Sequence, residues 1–569
     1  MDRMAVAAAL REIALLTDMQ GQGPHRARAY LKGAQSIEAL ERDLGTLVRE
    51  RLLTQIPGIG DALARTITEL VETGRSAVLD RLRQEMPPGA VELGSVLSLP
   101  RLKAVQQALG VTSLAELQEA ARDGRLAEVK GFGPKTVEKL LEDIEARVRR
   151  GQKVLINAGQ REGDAVLAFA RAQQGVLRAE LAGVLRRRQE VIDRIDLVVA
   201  APDPAAALER VAALPQAAAA GPRTAGGGEW QLAGGLDLRV EVATPDRFAL
   251  AWLFATGSAG HLEKLSIVAQ ARGLALDPRG LTRGGRPLAV ASEEELYRHL
   301  DLPFVPPEMR DDDGEVTAAV EGSLPHPLIV EGDVQGMVHC HTTYSDGKHS
   351  VEEMARAAEA MGMKYITITD HSPTASYAGG LTVDRLRRQW DEMDRVQQKV
   401  KIRLLRGSEV DILKDGALDW PDAVLADMEV FVASIHNRYG LDEREMTKRV
   451  VRGLRHPLFK IWGHALGRYV LRRPPIAVKM EEVLEAAAAS RVAIEINGNP
   501  NRLDMEPRLV RAARRRGLRF TLSVDAHATS ELNHLHWAVD MARRGWLRKD
   551  DVLNTLDADA FAKAVRPAA

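Results

Sequence analysis

The chain has 569 residues. A single hydrophobic core does not usually extend over so long a chain, so three or four domains are expected. Its composition, 45% hydrophobic and 28% charged, excludes a disordered, collagen-like or disulfide-stapled protein and predicts a globular one. Lys and Arg number 78 against 79 Asp and Glu, a net charge of -1. Any nucleic-acid partner must therefore be held by local basic surfaces.

The single cysteine, Cys340, cannot form an intramolecular disulfide and suits a reducing compartment, so a cytoplasmic location is expected. Near the amino terminus an apolar run is interrupted by Arg11 and Glu12. No stretch of the sequence approaches the roughly 20 apolar residues that span a bilayer. We expect neither export nor a membrane anchor.

The amino-terminal part has apolar residues at helical spacing, as in Val137, Leu140, Leu141 and Ile144, which predicts an all-α region. Strand-like runs at 195–201 and 236–242 then predict a small sheet, with the Ala- and Gly-rich segment 216–228 as a loop within it. A mixed helical stretch and a segment rich in Pro and acidic residues follow. The predicted boundaries are 1–85 and 86–150 for two helical domains, 151–245 for the sheet domain, 246–310 for the mixed domain, 311–335 for an interdomain linker and 336–569 for the last domain.

After residue 336, seven strand-like runs alternate with helical segments. This alternation predicts a parallel sheet, and seven units over so short a length favour a closed barrel. Functional residues of such barrels lie at the carboxyl ends of the strands. The runs are MVHCH, KYITITDH, IRLLRGSEV, EVFVASIH, KIWGH, VAIEIN and RFTLSVDAH.

Nearly all of these strands end in a side chain that can bind a metal. In HCH the two histidines, His339 and His341, share one strand face while Cys340 points to the other, so the thiol is predicted to pack in the core. Imidazole and carboxylate ligands without thiolate suit zinc, manganese or iron, and so many ligands imply two or three ions. The candidates are His339, His341, Asp346, His371, Glu409, His436, His464, Asp525 and His527.

Any one of these histidines alone is better explained as a structural residue, but six of the 14 in the chain fall at predicted strand ends of one domain. Clustered divalent ions clamp a phosphodiester, activate a water and stabilise the leaving oxygen. Phosphoester hydrolysis is therefore the expected chemistry. The remaining histidines show no such placement and are predicted to be structural: His25, His261, His299, His326, His349, His456, His534 and His536.

The motifs HCHTTYSDG, ITDH, GSEVDI, SIH, GHALGR, EIN and SVDAHA resemble the PHP phosphoesterase domain. The resemblance covers the chain after the linker and implies a distorted seven-stranded (βα)7 barrel with three metals, although the Pro-Thr usual in the family is replaced by Ala465-Leu466. Arg468 is either a phosphate ligand or a structural residue. The implied ligand sets are His339, His341, Glu409 and Asp525; Asp346, His371 and His527; and Glu409, His436 and His464, with Glu409 bridging two ions.

Two segments of the amino-terminal part, IPGIGDALARTI and VKGFGPKTVEKL, each place Gly-x-Gly between helical stretches. Such helix-hairpin-helix turns let backbone N–H groups approach a phosphate oxygen, which predicts sequence-independent binding of the DNA backbone. A basic segment, HRARAYLKGA, either contributes to this contact or is a solvated helix face. The residues concerned are Gly58 and Gly60 in the first turn, Gly131, Gly133 and Lys135 in the second, and Arg26, Arg28 and Lys32 in the basic segment.

With the two hairpins and the PHP motifs, the segments AGVLRRRQEVIDRIDLVV, LDLRV and ATGSAGHLEKL resemble bacterial DNA polymerases of family X. That family joins helical 8 kDa and fingers domains to a nucleotidyltransferase palm, a thumb and a PHP domain with 3′-to-5′ exonuclease activity. The implied palm carboxylates are Asp196 and Asp237, and the implied nucleotide-binding residues are Gly183, Arg186, Gly257 and Ser258.

The palm departs from the family where its chemistry occurs. The family pattern Gly-Asp-Ile-Asp is Asp193-Arg194-Ile195-Asp196 here, so an arginine replaces a metal-binding carboxylate. Arg194 shares a strand face with Asp196 while Asp193 points away, and its charge repels a second divalent ion. We expect impaired or absent templated synthesis. Val184 and Arg188 also replace the family's Ser and Gly. Residues 97–110 lack the glycines of a further hairpin that the family has at this place. The three arginines Arg186, Arg187 and Arg188 are about equally consistent with phosphate binding and with a structural role.

These features predict a DNA-repair protein, with base excision repair as the family's context, that binds gapped, primed or 3′-ended DNA as a monomer. Its PHP domain is expected to use manganese or zinc to remove nucleotides from a 3′ end. If the palm is active, it would bind dNTP together with Mg or Mn. With 4% aromatic residues, backbone contacts should dominate DNA binding. Two alternatives stay open: a phosphatase acting on a small phosphomonoester, and a DNA-end binding scaffold with an inert palm and largely structural metals.

Overall fold

The computed structural model describes residues 3–20, 24–38, 44–56, 58–86, 93, 97–133, 135–141, 153–215, 217–224, 226–232 and 234–565. The chain forms two compact units, 1–151 and 152–569. In the described ranges, no helix combines the length and the apolar character needed to cross a membrane.

The first unit is helical in all the parts that are described. The helix Asp61–Thr73 ends because Gly74 adopts a left-handed conformation (φ 72°), and Ser76 caps the next helix by accepting from the Leu79 amide. Apolar side chains at helical spacing, such as Ile67 and Leu70, face one shared core. The further helices are Arg3–Met19, Pro24–Glu38, Leu44–Arg49, Ala77–Glu85, Leu99–Leu109, Leu114–Arg122 and residues 135–141.

The second unit begins with a five-stranded mixed sheet, which we call the palm sheet. Its central strands, Arg194–Ala200 and Asp237–Ala243, are parallel and place Arg194 opposite Asp237. Leu197 and Val199 on the first and Leu238 and Val240 on the second are buried in the core. In spatial order the strands are Arg178–Leu181, Arg194–Ala200, Asp237–Ala243, Gly227–Leu232 and Ala217–Thr224, with the helices Ile156–Arg171, Gly183–Arg186 and Pro204–Ala212.

The segment predicted as a loop within this sheet is instead mostly β-structure. Ala217–Thr224 pairs antiparallel with Gly227–Leu232 and forms the edge of the palm sheet. The prediction was wrong because alanine and glycine runs have no alternating pattern, while the neighbouring strand offers unpaired backbone groups to which the segment binds.

The mixed domain contains a buried ionic cluster. The Glu293 carboxylate accepts two hydrogen bonds from Arg310, at 3.0 Å each, and His261 lies 2.6 Å from Glu315. The predicted linker 311–335 belongs to this body, because Glu315–Val320 is a helix and Val316 packs in its core. The elements are the helices Phe248–Thr256, Ala259–Ala271 and Glu293–His299 and the strands Leu274–Asp277, Gly280–Arg283 and Arg286–Leu288.

Each of the seven strand-like runs near the carboxyl terminus contains a parallel strand. The third run is interrupted at Gly407 and Ser408, which gives one sheet of three strands and one of five. Isolated bridges between Cys340 and Ala526, and between His371 and Glu409, connect the two sheets. The strands are Gly336–Cys340, Tyr365–Ile368, Arg403–Arg406, Glu409–Asp411, Val432–Ser434, Ile461–Trp462, Ala493–Asn497 and Phe520–Ser523.

Except between Arg403–Arg406 and Glu409–Asp411, a helix separates each strand from the next and returns the chain to the amino end of that next strand. Ser350 and Glu353 form a reciprocal capping box at the first of these helices. Cys340 is fully buried in the core, as its strand position predicts. The helices are Val351–Ala360, Val383–Gln397, Asp422–Asp427, Glu443–Leu454, Met480–Ala489, Pro507–Arg515, Leu535–Arg544 and Ala558–Val565.

Candidate functional site

The carboxyl ends of the parallel strands bring the nine predicted metal ligands into one cluster. His339 and Asp525 adopt left-handed backbone conformations, with φ of 65° and 50°, which are costly for these residue types and common at functional sites. The rings of His341 and His527 stack with centroids 4.2 Å apart. The packing of the strands therefore brings together ligands that are up to 188 positions apart, from His339 to His527.

Glu409 lies at the centre of this cluster and is 1% exposed. One carboxylate oxygen is 2.8 Å from Nε2 of His464 and 3.0 Å from Nε2 of His436. The other is 3.1 Å from Nδ1 of His371 and 3.3 Å from Nε2 of His339. That second oxygen is also 3.5 Å from Nε2 of His341. The two oxygens thus face different sets of imidazoles, as a bridging carboxylate requires.

The cluster contains three groups of potential metal ligands. In each group, all the ligand atoms lie within 4.8 Å of one another. One group matches a set implied by the resemblance, and the other two differ in that His341 joins the second and His371 joins the third. His464 lies outside the third group although it contacts Glu409. The groups are His339, His341, Glu409 and Asp525; His341, Asp346, His371 and His527; and His371, Glu409 and His436.

The donors of this cluster fit divalent metal ions. In the described part of the chain, Nε2 of His339, both ring nitrogens of His341 and Nδ1 of His371 are buried without a hydrogen-bond partner. Such groups are rare in folded proteins because each costs its desolvation energy. Coordination by a metal satisfies the ring nitrogens, and the oxygen and nitrogen donors suit manganese, zinc or iron.

Two candidate ligands of the site, Glu409 and His371, are in the protonation states that metal binding requires. Burial raises the pKa of Glu409, but the charges of His436 and His339 overcome this and hold it well below the ordinary value, so the carboxylate is ionised. Burial lowers the pKa of His371 to about 4, which leaves a neutral imidazole. Metals bind ionised carboxylates and neutral imidazoles. Burial lowers the pKa of His436, but the carboxylates of Glu409 and Asp411 raise it to about 10, so this imidazole must lose a proton before it binds a metal.

Two further carboxylates orient the ligands and were not predicted. Glu495 is fully buried, and its oxygen lies 2.5 Å from Nδ1 of His339 and 2.6 Å from the Ser523 hydroxyl. Asp411 lies 2.8 Å from Nδ1 of His436. Carboxylates in this position fix the tautomer and ring orientation of a metal-binding histidine. The sequence signal was the alternation Glu409-Val410-Asp411, which puts both acids on one strand face.

A cavity of about 270 Å³ opens on the cluster. It is lined by ligands and by Tyr377, Tyr439, Tyr469, Arg473 and Arg502. Arg468, the arginine for which phosphate binding was considered, is buried and has other partners. Its guanidinium donates to the carbonyls of Arg502 and Leu503 and pairs with Glu506 and Glu190.

The palm carboxylates lie in a different environment. Arg194 donates from Nε to Oδ1 of Asp196 at 2.9 Å, and Asp196 is 4% exposed. Burial raises the pKa of Asp196, although the charge of Arg194 opposes this. Asp237 is exposed opposite Arg194. Arg194 thus lies beside both acids of the palm, paired with Asp196 on its own strand and opposite Asp237 on the neighbouring strand.

The arginines that follow Gly183 bind to other side chains of the second unit. Arg186 donates to both oxygens of Glu293 at 2.8 and 2.7 Å and lies 3.2 Å from the Trp252 ring centre. Arg187 pairs with Asp311, and Arg188 donates to Gln160. Ser258, after Gly257, caps the helix Ala259–Ala271 by accepting from the His261 amide. Arg186 and Ser258, two of the four predicted nucleotide-binding residues, thus have structural partners.

Both predicted hairpin turns have a left-handed glycine, Gly58 with φ 88° and Gly131 with φ 96°. Gly60 and Gly133 precede the second helices, and Lys135 is exposed at the start of residues 135–141. Arg26, Arg28 and Lys32 are exposed on the helix Pro24–Glu38. A Cβ atom added at Gly58 would lie 3.0 Å from Cε of Lys32, so the basic segment lies beside the first turn.

Four family profiles match the chain in a consistent order. The helix-hairpin-helix domain matches residues 1–76, and the SAM-like helix-hairpin-helix tandem matches 101–146. The DNA polymerase beta thumb matches 251–311, within the mixed domain. The PHP domain matches 338–499, which contains seven of the nine clustered ligands.

Curated relatives cover the chain at two scales. A DNA polymerase/3′-5′ exonuclease PolX of Bacillus subtilis is 30% identical over 97% of this chain and 98% of its own length. Probable phosphatases of a Thermoanaerobacter species and of Vibrio parahaemolyticus are each 27% identical over 38% of this chain, and cover 89% and 88% of those proteins. The domain order and this full-length similarity show that the chain belongs to the bacterial DNA polymerase X family, with helix-hairpin-helix modules, a polymerase beta thumb and a PHP domain.

Proposed function

We propose that the protein is a metal-dependent 3′-to-5′ DNA exonuclease whose active site is the PHP cluster, and that its palm is impaired in DNA synthesis. The observation that carries the proposal is the position of Glu409 among five imidazoles, with unpartnered ring nitrogens around it. The nine clustered residues are the ligands in this proposal, and the strands of the seven runs that hold them close into one barrel.

In the proposed reaction, water attacks the terminal phosphodiester of a 3′ end. The bond between phosphorus and the 3′ oxygen breaks, that oxygen takes a proton, and a deoxynucleoside 5′-monophosphate leaves. Bound divalent metals would supply a water of lowered pKa and stabilise the leaving oxygen. The chain itself contributes orientation, since Glu495 and Asp411 hold the rings of His339 and His436.

The proposed loss of synthesis rests on three contacts of the palm. Arg194 neutralises Asp196, Arg186 is bound to Glu293, and Arg187 is bound to Asp311. A triphosphate would have to compete with buried carboxylates for these guanidinium groups. The palm sheet and the helical domains then serve to bind DNA, with Gly58, Gly131 and Lys135 at phosphates.

A labelled primer on gapped DNA with Mn²⁺, with and without dNTPs, tests both parts of the proposal. We expect primer shortening that His341→Ala abolishes, and no extension by the native protein. Extension by the native protein would contradict the impaired palm. Shortening that survives His341→Ala would contradict the PHP site as the nuclease.

A second function, hydrolysis of a small phosphomonoester, is favoured by the similarity of the PHP half to probable phosphatases. The two functions predict different preferences of the same site. Turnover of p-nitrophenyl phosphate with no shortening of a primer would replace the exonuclease with this function. A scaffold without hydrolysis is the remaining alternative, and it predicts loss of fold on metal removal with no turnover of either substrate.

A further inference from the structure

Two arginines line the cavity of the PHP cluster, and neither is a metal ligand. Arg502 follows the strand Ala493–Asn497 and is 7% exposed. Arg473 lies in the segment after His464 and is partly exposed. Both face the same cavity of about 270 Å³ as Glu409 and Asp525.

In each arginine, one nitrogen donates a hydrogen bond to the protein and another has no hydrogen-bond partner. Nε of Arg502 donates to Asp525 at 3.0 Å, and Nε of Arg473 donates to the Gly467 carbonyl at 2.9 Å. Within the described chain, Nη1 of Arg502 and Nη2 of Arg473 are buried with no hydrogen-bond partner. A buried guanidinium N–H without an acceptor costs free energy. A bound ligand could supply the acceptor that these two guanidinium donors lack.

Tyrosine rings hold the two guanidinium groups near each other. Arg473 lies 4.3 Å and Arg502 lies 4.7 Å from the ring centre of Tyr469, and Arg473 also lies 3.7 Å from that of Tyr439. Stacking on aromatic rings fixes the plane of an arginine. Two positive charges held this way repel each other, and an anion bound between them would offset the repulsion.

We propose that Arg473 and Arg502 form a phosphate-binding wall of the PHP cavity and donate hydrogen bonds to the phosphoryl oxygens of the substrate. This inference rests on the proposed phosphoesterase function. Guanidinium groups match phosphate geometry through paired N–H donors. The ligand class is a phosphoryl group at the end of a molecule, because a cavity this small, near the lower limit of ~300 Å³ for ligand sites, excludes a duplex.

Arg473 is the better residue to replace, because a change of Arg502 would also remove its hydrogen bond to the candidate metal ligand Asp525. We compare Arg473→Gln and Arg473→Lys with Arg491→Gln. Arg491 is exposed and precedes the amino end of the strand Ala493–Asn497, opposite to the site, so it is a matched control. Manganese content and circular dichroism of each variant establish that metals and fold are retained.

The measurements are the Kd of dTMP for the manganese-loaded protein by calorimetry, and kcat and KM for a labelled 3′-ended oligonucleotide and for p-nitrophenyl phosphate. Loss of one charged hydrogen bond should raise the Kd of dTMP and the KM by about tenfold or more. For Arg473→Gln we expect kcat to change less than KM, Arg473→Lys to recover part of the affinity, and Arg491→Gln to match the native protein.

The two substrates identify where the phosphoryl group comes from. A higher KM for the oligonucleotide assigns the wall to the DNA strand, and a higher KM for the ester alone assigns it to small phosphomonoesters. Unchanged dTMP affinity and unchanged KM in a folded, manganese-loaded Arg473→Gln would overturn the inference. If the native protein cleaves neither substrate, the proposed function fails, while a lost dTMP affinity in Arg473→Gln still supports the phosphate-binding wall.

Discussion

Nε of Arg194 lies 2.9 Å from Oδ1 of Asp196, two residues further along the same strand. Side chains two apart on a strand share a face, so an arginine at this position reaches the carboxylate directly. The other oxygen of Asp196 is buried without a hydrogen-bond partner in the described chain. The palm therefore holds an internal ion pair where two acids would bind divalent ions.

Replacing this arginine should restore synthesis if the rest of the palm is sound. We expect Arg194→Asp with Val184→Ser to raise primer extension by about tenfold or more, which corresponds to roughly 1.4 kcal/mol of transition-state free energy. Extension of gapped DNA with Mg²⁺ and dNTPs, in a His341→Ala background that lacks the nuclease, measures it. Asp193→Asn is the control, because that side chain is exposed. No gain in the double variant would refute this explanation.

Glu409 should be required for both metal content and hydrolysis. Glu409→Gln removes the negative charge that faces five imidazoles. We expect less bound manganese and a loss of nuclease activity exceeding 100-fold, because replacing a residue that only orients a metal ligand already costs about 10–100-fold. Mass spectrometry of bound metal and the primer assay report the two effects. Asp427→Asn, at an exposed ion pair with Arg387, should change neither. Full activity of Glu409→Gln would rule out the bridging role.

Glu495 should act through His339 without binding the metal itself. We expect Glu495→Gln to weaken metal affinity or activity by about 10–100-fold, because the amide is neutral and no longer supports the imidazole as a carboxylate does. A manganese titration followed by activity distinguishes the two cases, since excess metal rescues a loss of affinity. An unchanged titration curve would count against this orientation role.

Asp540 gives the interface between palm and PHP domain a pH dependence. Burial raises its pKa to about 6, although Arg188 at 3.5 Å opposes the shift. The folded state therefore holds this proton more tightly than the unfolded chain, whose pKa is about 3.9. The contribution of Asp540 to stability should fall as pH rises from 4 to 6 and remain lower above 6, by up to roughly 3 kcal/mol.

Asp540→Asn removes this titration, so the melting temperature of the variant relative to the native protein should rise between pH 4.5 and pH 7.5. The exposed Asp550→Asn corrects for the general loss of a negative charge. A difference between Asp540→Asn and native protein that is constant across this range would contradict the raised pKa.

Lys135 should contribute one phosphate contact to DNA binding. Each neutralised phosphate changes the slope of log affinity against log salt by about 0.9 for duplex DNA. We therefore expect Lys135→Gln to reduce the slope by about 0.9 for all sequences, as measured by fluorescence anisotropy. Arg125→Gln, whose residue pairs with Asp123, should leave the slope unchanged, and an equal effect of both variants would remove the special role of Lys135.

The clustering of the nine candidate metal ligands was predictable because parallel strands present their carboxyl ends at one edge, so a candidate ligand at each strand end implies a cluster. Glu495 and Arg473 were not predictable in this way. Glu495 lies two residues before the end of its strand, and Arg473 reaches the cavity from a segment without regular structure. The edge strand Ala217–Thr224 was missed because its pairing depends on a neighbour rather than on its own pattern.

The buried Cys340, between His339 and His341, gives the protein a built-in reporter of local opening. Burial raises the pKa of this thiol, and only a thiolate exposed to solvent reacts with an alkylating reagent. As this is the only cysteine of the chain, its labelling rate measures how often the first PHP strand separates from its neighbours. Bound metal should slow this labelling, because ions coordinated by His339 and His341 would stabilise the closed state of the strand.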